Sequence, residues 1–561
     1  KMNLLYRYSP LHRPRWWALL LIGLCLSYAI VTVAVLPFWS LIPIVGVWLG
    51  TAWLLRWGEP ARPRPQNQCW PWSLVPLCLW GVYVYLSESF GIVELGSIFF
   101  HLQAGMADHG GGGRLLVAIP YTLTMLTMLA AFTWLARRDH RWRIADRLLA
   151  LVLIASNPLF FSMGQRSAAI ITDDGAWLER RYVTPTIEKA PERPPNLLLL
   201  YLESIEHTYA DRERFGDAYA FLDALGRRGH VFEGVRQLEN TGWTMAGMIA
   251  SQCGTPLMPA GLLHDNQFEP LKRVVPGIRC LGDLLADQGY QLSFLGGAST
   301  EFAGKGIFYE DHGFDRVMGR EALEPRLDEP GYVNAWGLFD DSLYDFTVEE
   351  IQRLEREGEG PWGVVNLSIT GHAPRGYPAR ACLDRQGEFD GEDILYSVEC
   401  SSWLAFDLVD RLDNAGLLDN TVVAIASDHL TMRVSAWEKL TSQRRANTFL
   451  LLGNGIEAGQ RTEREAATLD IFPTLLEAMG FTIDDHRAGL GVSLLGDAPT
   501  LVERHGLREL AARMHAETGL QEHLWEGLVP AGRDEEQSPE VPQQVLETPE
   551  DEADPPVREM Q

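Results

Sequence analysis

The chain has 561 residues, too many for one ordinary domain, and 46% of them are apolar. Nearly all the long apolar runs lie before about residue 165, the pattern of a membrane portion followed by a soluble one. A formal net charge of −26 argues against a nucleic-acid binder, because gripping a phosphate backbone needs clustered lysine and arginine.

Five segments read as membrane spans, each needing about 20 apolar residues: 17–39, 41–55, 70–86, 115–136 and 148–163, the second being short. Basic residues cluster before the first span (Lys1, Arg7, Arg13, Arg15), after the second (Arg56, Arg62, Arg64) and after the fourth (Arg137, Arg138, Arg141, Arg143, Arg147). With five alternating spans all three clusters share one side. The positive-inside rule makes that side cytoplasmic and everything after residue 165 external. The loop 87–114, with Phe90, Ile92, Val93, Ile98, Phe99 and Phe100 and a run of four glycines, reads as a re-entrant or interfacial helix. A sixth full span would invert the topology, against the arginine asymmetry. The first span lacks a small-residue cleavage site and reads as a retained anchor. This gives a transmembrane domain at 1–165 and a linker at 166–195.

From 196 to 500, short apolar runs alternate with helical patterns. The strand candidates are NLLLLYLES (196–204), YQLSFLGG (290–297), WGVVNLSIT (362–370), NTVVAIASD (420–428) and NTFLLLGN (447–454). Their near-continuous apolar character fits strands buried on both faces. Amphipathic helices are predicted at 280–288, 348–357 and 399–414. The fold class is therefore an N-terminal bundle of about five transmembrane helices plus a C-terminal α/β domain with a mostly parallel central sheet. A helical segment (501–531) and an acidic tail (532–561), rich in Glu, Asp, Pro and Gln and read as disordered, complete the chain. Cys253, Cys280, Cys382 and Cys400 form an even set with no short metal-site spacing. Two disulfides in an oxidising compartment and four reduced core cysteines both fit that count.

Polar residues collect at the C-terminal ends of the predicted strands, where open α/β sheets place their sites. Glu203 follows LLLLYL, Thr370 and His372 follow VVNLSI, and Asp428 and His429 follow VVAIAS. Two carboxylates, an imidazole and the hydroxyl of Thr244, in NTGWTMAGMIASQCG, make a ligand set for a divalent ion such as Zn²⁺ or Mn²⁺. A metal beside the threonine oxygen lowers its pKa and makes a nucleophile. A helix starting there aims its N–H groups at an anion such as phosphate. Taken singly, Thr244 reads as a helix cap, the Asp–His pair as a turn and Glu203 as an ion-pair partner. Thr241 also precedes the helix and competes with Thr244.

The order strand–Glu, Thr at a helix start, His in TGHAP, SDH, then TLDIFPTLLEAMG resembles the alkaline phosphatase/sulfatase superfamily. More narrowly, the soluble domain behind apolar N-terminal segments is similar to the lipid-dependent phosphotransferases: lipoteichoic acid synthases, phosphoethanolamine transferases and the phosphoglycerol transferases of osmoregulated periplasmic glucans. The resemblance rests on LYLESIEHTYAD (200–211), TMAGMIASQCGTPL (244–257), FAGKGIFYEDHGFD (302–315), NAWGLFDDSLYD (334–345) and ASDHLTM (426–432), in family order.

That resemblance implies one divalent cation (Mn²⁺, Zn²⁺ or Mg²⁺) held by Glu203, Thr244, Asp428 and His429, with Thr244 also the nucleophile in preference to Thr241. His372 falls near the transferred phosphoryl group. Lys305 falls where lipoteichoic acid synthases carry an arginine, and Ala303 where they carry a tryptophan. A lysine lacks arginine's bidentate fork, so polyglycerol-phosphate polymerisation is disfavoured. Glu206, Trp336 and Asp340 are further pocket candidates, against readings as a surface acid, a core aromatic and a helix cap. Cys253 is expected to pair with Cys280, and Cys382 with Cys400. The implied activity is transfer of phosphoglycerol from phosphatidylglycerol to a periplasmic glucan, from a bacterial inner membrane with the catalytic domain in the periplasm. The rivals are a phosphoethanolamine transferase acting on lipid A or another surface glycan, a hydrolase, and a membrane scaffold with an inactive domain. TMAGM lacks the modifiable C/S-x-P-x-R of sulfatases.

Overall fold

The computed structural model describes residues 175–527, apart from 259–272, 359, 386–388 and 390–392, together with the helix Leu74–Phe90 and isolated positions at 72 and between 147 and 157. Its centre is an eight-stranded sheet. In chain order the strands are β1 (Asn196–Leu202), β2 (His230–Phe232), β3 (Gln291–Gly296), β4 (Arg316–Met318), β5 (Trp362–Leu367), β6 (Thr421–Ser427), β7 (Phe449–Gly453) and β8 (Gln460–Thr462). Their spatial order is β8-β2-β7-β6-β1-β5-β3-β4. Only β7 runs antiparallel to its neighbours; every other pair in this sheet is parallel.

The five apolar runs read from the sequence are β1, β3, β5, β6 and β7. Strand β1 shows why they are so uniformly apolar. Leu197, Leu199 and Tyr201 enter the core on one face, while Leu198, Leu200 and Leu202 enter the core on the other. A strand with two buried faces leaves few positions for polar residues, and each buried leucine contributes roughly 1.5–3 kcal/mol of transfer free energy. Helices α1 (Ala220–Gly226), α2 (Thr244–Cys253), α3 (Leu281–Asp287), α4 (Lys305–Asp311), α5 (Asp340–Glu357), α6 (Asp393–Asn414), α7 (Ile471–Ala478) and α8 (Leu501–Ala516) cover the faces. Of these, α2, α3, α4, α7 and α8 share the core of Leu197 and Tyr201, and α1, α5 and α6 share the other. The helices expected at 348–357 and 399–414 are the later parts of α5 and α6.

Residues 175–195 are packed onto this domain. Trp177 and Leu178 are buried, and Ile187–Lys189 pairs with Thr482–Ile483. Cys253 is bonded to Cys280, joining the end of α2 to the start of α3, and Cys382 is bonded to Cys400 on α6.

The membrane expectation is corrected. Among the described residues no helix is long and apolar enough to cross a membrane. The span expected at 70–86 falls on the helix Leu74–Phe90, which has 17 residues. At about 1.5 Å per residue it covers roughly 26 Å, less than the ~30 Å hydrocarbon core. The segments 17–39, 41–55 and 115–136, most of 148–163, the loop beyond residue 90 and the tail 532–561 lie outside the described residues. The five-helix bundle, the membrane-embedded state, and the inner-membrane and periplasmic placement built on them are therefore set aside.

Candidate active site

Strand register assembles the site. Leu202 of β1 pairs with Ser427 of β6, so Glu203 and Asp428 leave the same sheet edge side by side. On the other side of β1, Tyr201 pairs with Leu367 of β5, which brings the turn 368–372 to that edge. One ligand atom from each of Glu203, Asp428 and His429 lies within 4.8 Å of the others. All three side chains are buried. His429 Nε2 is 3.5 Å from Glu203 Oε1 and 3.4 Å from Asp428 Oδ2.

The surrounding bonds fix how these groups point. The Ser204 N–H donates to Asp428 Oδ1 (2.9 Å), the Ser204 hydroxyl donates to Glu203 Oε1 (2.9 Å), and the Glu203 N–H donates to Ser368 Oγ (3.0 Å). His429 Nδ1 is 2.8 Å from the Leu430 carbonyl, which can only accept, so Nδ1 carries a proton and Nε2 is the nitrogen turned toward Glu203 and Asp428. Ser204 sits at φ 60 in the turn that swings Glu203 inward.

The remaining valences fit a cation. Asp428 Oδ2 and His429 Nε2 are buried with no hydrogen-bond partner, and orphaned buried groups of this kind are costly. Burial and the adjacent Glu203 carboxylate push Asp428 up to about 7. Burial opposes a charge on His429, but Asp428 and Glu203 outweigh it and raise the imidazole to about 9. Glu203 is likewise opposed by burial, yet His372 and His429 hold it below the ordinary carboxylate range. Two carboxylates and an imidazole crowded into one buried cluster are a set that a divalent ion satisfies. Oxygen and imidazole donors suit Zn²⁺ or Mn²⁺.

Thr244 is the first residue of α2, and Trp243 occupies the cap position without a side-chain cap. The Thr244 hydroxyl therefore caps nothing; it lies 3.5 Å from Glu203 Oε2 and is half-buried. Thr241 is placed differently. It is fully buried, and its hydroxyl donates to the Leu238 carbonyl (2.8 Å) and accepts from the Leu238 N–H (3.0 Å). Helix α2 is held by Tyr201, whose hydroxyl is 2.6 Å from Ser251 Oγ. Two glycines let the pieces close. A Cβ on Gly247 would stand 1.6 Å from the Asp428 carbonyl oxygen, and one on Gly371 would stand 2.1 Å from that of Glu203.

Beside the carboxylates runs an aromatic wall. The His372 and Trp336 rings stack with centroids 4.0 Å apart, and Phe302 meets Trp336 edge-on at 6.1 Å. The buried Lys305 places Nζ 4.6 Å from the Phe302 centroid. Ala303, at φ 57, and Gly304, at φ 70, turn the chain into α4. A non-glycine residue in that region carries backbone strain at the edge of the site.

Glu206 and Asp340 stand apart from this wall. Glu206 is fully buried; its carboxylate accepts from Arg445 Nε (3.0 Å) and the Thr431 N–H (3.0 Å), clamping the turn after His429. Asp340 is also fully buried and accepts from the Ile369 and Thr370 N–H groups (2.7 and 3.0 Å), which holds the turn carrying His372. Burial raises Asp340 to about 6 against those bonds. Sequence reading passed over Ser204, Ser368, Gln237 (which accepts from the Leu430 N–H at 2.8 Å) and Gly247. The serines flanking the strand-end carboxylate were the available signal.

The sulfatase family profile matches residues 195–481, just over half of the chain. The chain belongs to the sulfatase family. It is also 30% identical over 441 residues to Phosphoglycerol transferase I of Salmonella paratyphi B and, equally, of Salmonella newport. That alignment covers 76% of this chain and 57% of each relative, so the chain spans little more than half their length. Among solved structures it is similar to an alkaline phosphatase superfamily protein from Vibrio parahaemolyticus (22% identity, TM-score 0.47, covering 61% of this chain and 79% of that one). It is also similar to the lipoteichoic acid synthase LtaP from Listeria monocytogenes (15% identity, TM-score 0.45, covering 62% and 97%). Family and ligand cluster together support a metal-dependent enzyme of hydrolase or transferase type.

Proposed function

We propose that the chain transfers phosphoglycerol from phosphatidylglycerol to a glucan hydroxyl through a covalent phospho-threonine. The observation that carries the proposal is the Thr244 hydroxyl, at the start of α2, lying 3.5 Å from the Glu203 carboxylate, which itself clusters with Asp428 and His429. The 30% identity to Phosphoglycerol transferase I supports this choice of donor headgroup.

Glu203, Asp428, His429 and the Thr244 oxygen would hold the divalent ion, which supplies Lewis acidity and a lowered threonine pKa. Thr244 Oγ1 loses its proton to solvent and bonds to phosphorus, and the bond from phosphorus to the diacylglycerol oxygen breaks. His372 supplies the proton that the leaving oxygen takes up. In the second half-reaction a glucan hydroxyl gives its proton to His372 and bonds to phosphorus. The threonine–phosphorus bond then breaks, and Thr244 Oγ1 takes a proton back from solvent. The first-turn N–H groups of α2 offset phosphoryl charge, Lys305 adds a point charge, and Trp336 holds His372 in place by stacking.

Mass spectrometry of the Thr244 peptide after incubation with phosphatidylglycerol tests the proposal. A phosphoglycerol adduct on Thr244 with release of diacylglycerol is expected. A phosphoethanolamine adduct from phosphatidylethanolamine instead would replace the donor, and diacylglycerol release without any adduct would remove the covalent step.

A further inference from the structure

Three helix ends meet about one α2 length away from the catalytic edge. Cys253 is the last residue of α2, Cys280 is the residue before α3, and His312 closes α4. His312 is buried. Its Nδ1 lies 2.7 Å from Asp283 Oδ2, while Nε2 lies 4.0 Å from Cys280 Sγ and 3.0 Å from the Val274 carbonyl oxygen. Asp283 also accepts from the Cys280 N–H at 2.7 Å. Gly282 admits the approach, since a Cβ there would stand 2.1 Å from the His312 carbonyl oxygen.

We propose that Cys253, Cys280 and His312 form a zinc site masked by the Cys253–Cys280 disulfide and unmasked by its reduction. A carboxylate holds one ring nitrogen, as in a metal-binding histidine; the other, Nε2, donates to the Val274 carbonyl in the oxidised chain, and zinc would take the place of that proton. With Zn–S about 2.3 Å and Zn–N about 2.0–2.1 Å, a tetrahedral angle separates sulfur and nitrogen by about 3.6 Å. The present 4.0 Å needs only a small adjustment. The Val274 carbonyl, on the same side of the ring, supplies an oxygen donor. As a bonded disulfide neither sulfur is a thiolate, so the oxidised chain leaves this position closed to zinc. Exchange with a dithiol breaks the S–S bond and leaves two protein thiols, and the dithiol becomes its own disulfide, a transfer of two electrons and two protons. Zinc then binds the two sulfurs and displaces their protons. In either state the end of α2 stays fastened to α3, so the helix that begins at Thr244 keeps its anchor across a change of redox conditions.

Zinc content of the full chain tests this. Oxidised and dithiol-reduced protein are freed of small molecules under nitrogen, equilibrated with Zn²⁺, dialysed and assayed by elemental mass spectrometry. Reduction is expected to add about one ion per chain. His312→Gln should abolish that gain and leave the oxidised-state content unchanged. Asp283→Asn should weaken the added ion roughly 10- to 100-fold. Cys382→Ser/Cys400→Ser should retain it. If His312→Gln does not fold, Co²⁺ titration of the unaltered reduced chain serves instead: a thiolate–cobalt charge-transfer band that Cys280→Ser removes supports the site. Equal zinc content in the two redox states, an added ion that survives His312→Gln, or a cobalt band that survives Cys280→Ser overturns it.

Discussion

Gly247→Ala separates the packing argument from helix propensity, because the two predict opposite signs. Gly247 lies within α2. In an unobstructed helix interior, alanine in place of glycine stabilises by about 1 kcal/mol. Here the added Cβ would stand 1.6 Å from the Asp428 carbonyl oxygen and 2.7 Å from its carbonyl carbon, with the Thr241 carbonyl oxygen 3.4 Å away. The nearest obstacle is backbone in the loop that carries the metal-ligand candidates, so no side chain can rotate aside. Reaching ordinary contact needs a shift of about 1.8 Å, and overpacking of this kind costs about 3 kcal/mol. The net loss is about 2 kcal/mol. For a domain of roughly 350 residues, unfolding entropy scales to about 0.7 kcal/mol per degree, so melting should fall by about 3 °C. The functional effect should be larger. Moving Thr244 by about 1 Å from Glu203 and Asp428 should lower transfer about 100-fold, and metal affinity should weaken with it. Calorimetry, metal titration and diacylglycerol release on one preparation give all three readings. A variant that melts above the parent and turns over normally would refute the contact between α2 and the Asp428 loop.

The two threonines should divide cleanly. Thr244→Ala should leave melting nearly unchanged and abolish the covalent adduct, whereas Thr241→Val, which loses both Leu238 hydrogen bonds, should cost about 1–2 kcal/mol and retain the adduct; melting curves and peptide mass spectra of both variants check this. Glu206→Gln leaves the largely buried Arg445 without its carboxylate and should cost about 3–5 kcal/mol, read by denaturant titration. Asp470 is buried, accepts from the Ala467 and Val492 N–H groups (2.7 and 2.8 Å), and is raised by burial to about 7. Its folded pKa exceeds its unfolded value near 3.8, so the native state holds the proton longer and stability falls as pH rises from about 4 to about 7. Asp470→Asn should remove a few kcal/mol of that slope, and parallel slopes for the two proteins in melts across this range would contradict the assignment.

How much of this could be read from the sequence follows from what each residue must do. Strands β1, β3, β5, β6 and β7 are legible because burial on both faces makes them predominantly apolar, and buried polar residues such as Ser293 and Asn366 are tolerated where Glu350 and Thr347 bond them. Strands β2, β4 and β8 are not, since each has three residues and a polar or charged one among them. Helix α5 was read only from Val348 because its first turn carries Asp340 and Asp341, and Asp340 is buried against the 369–370 backbone. The apolar stretches before residue 165 carry a different lesson. Hydropathy registers a run of apolar side chains without registering helix length, and the helix Leu74–Phe90 is too short for the role assigned to its segment. At the site, residue type revealed Glu203, Asp428 and His429, because strand ends converge in this kind of sheet. It could not reveal direction. Glu206 and Asp340 are carboxylate residues like Glu203, yet their oxygens are taken up by Arg445, Thr431 and the 369–370 N–H groups, while Asp428 Oδ2 and His429 Nε2 have no hydrogen-bond partner. What separates a ligand from a clamp is the valence left over after local hydrogen bonding. That quantity exists only once the turns are folded: it singles out Asp428 and His429, whereas Glu203, whose oxygens meet the Ser204 and Thr244 hydroxyls, joins them by its place in the same buried cluster.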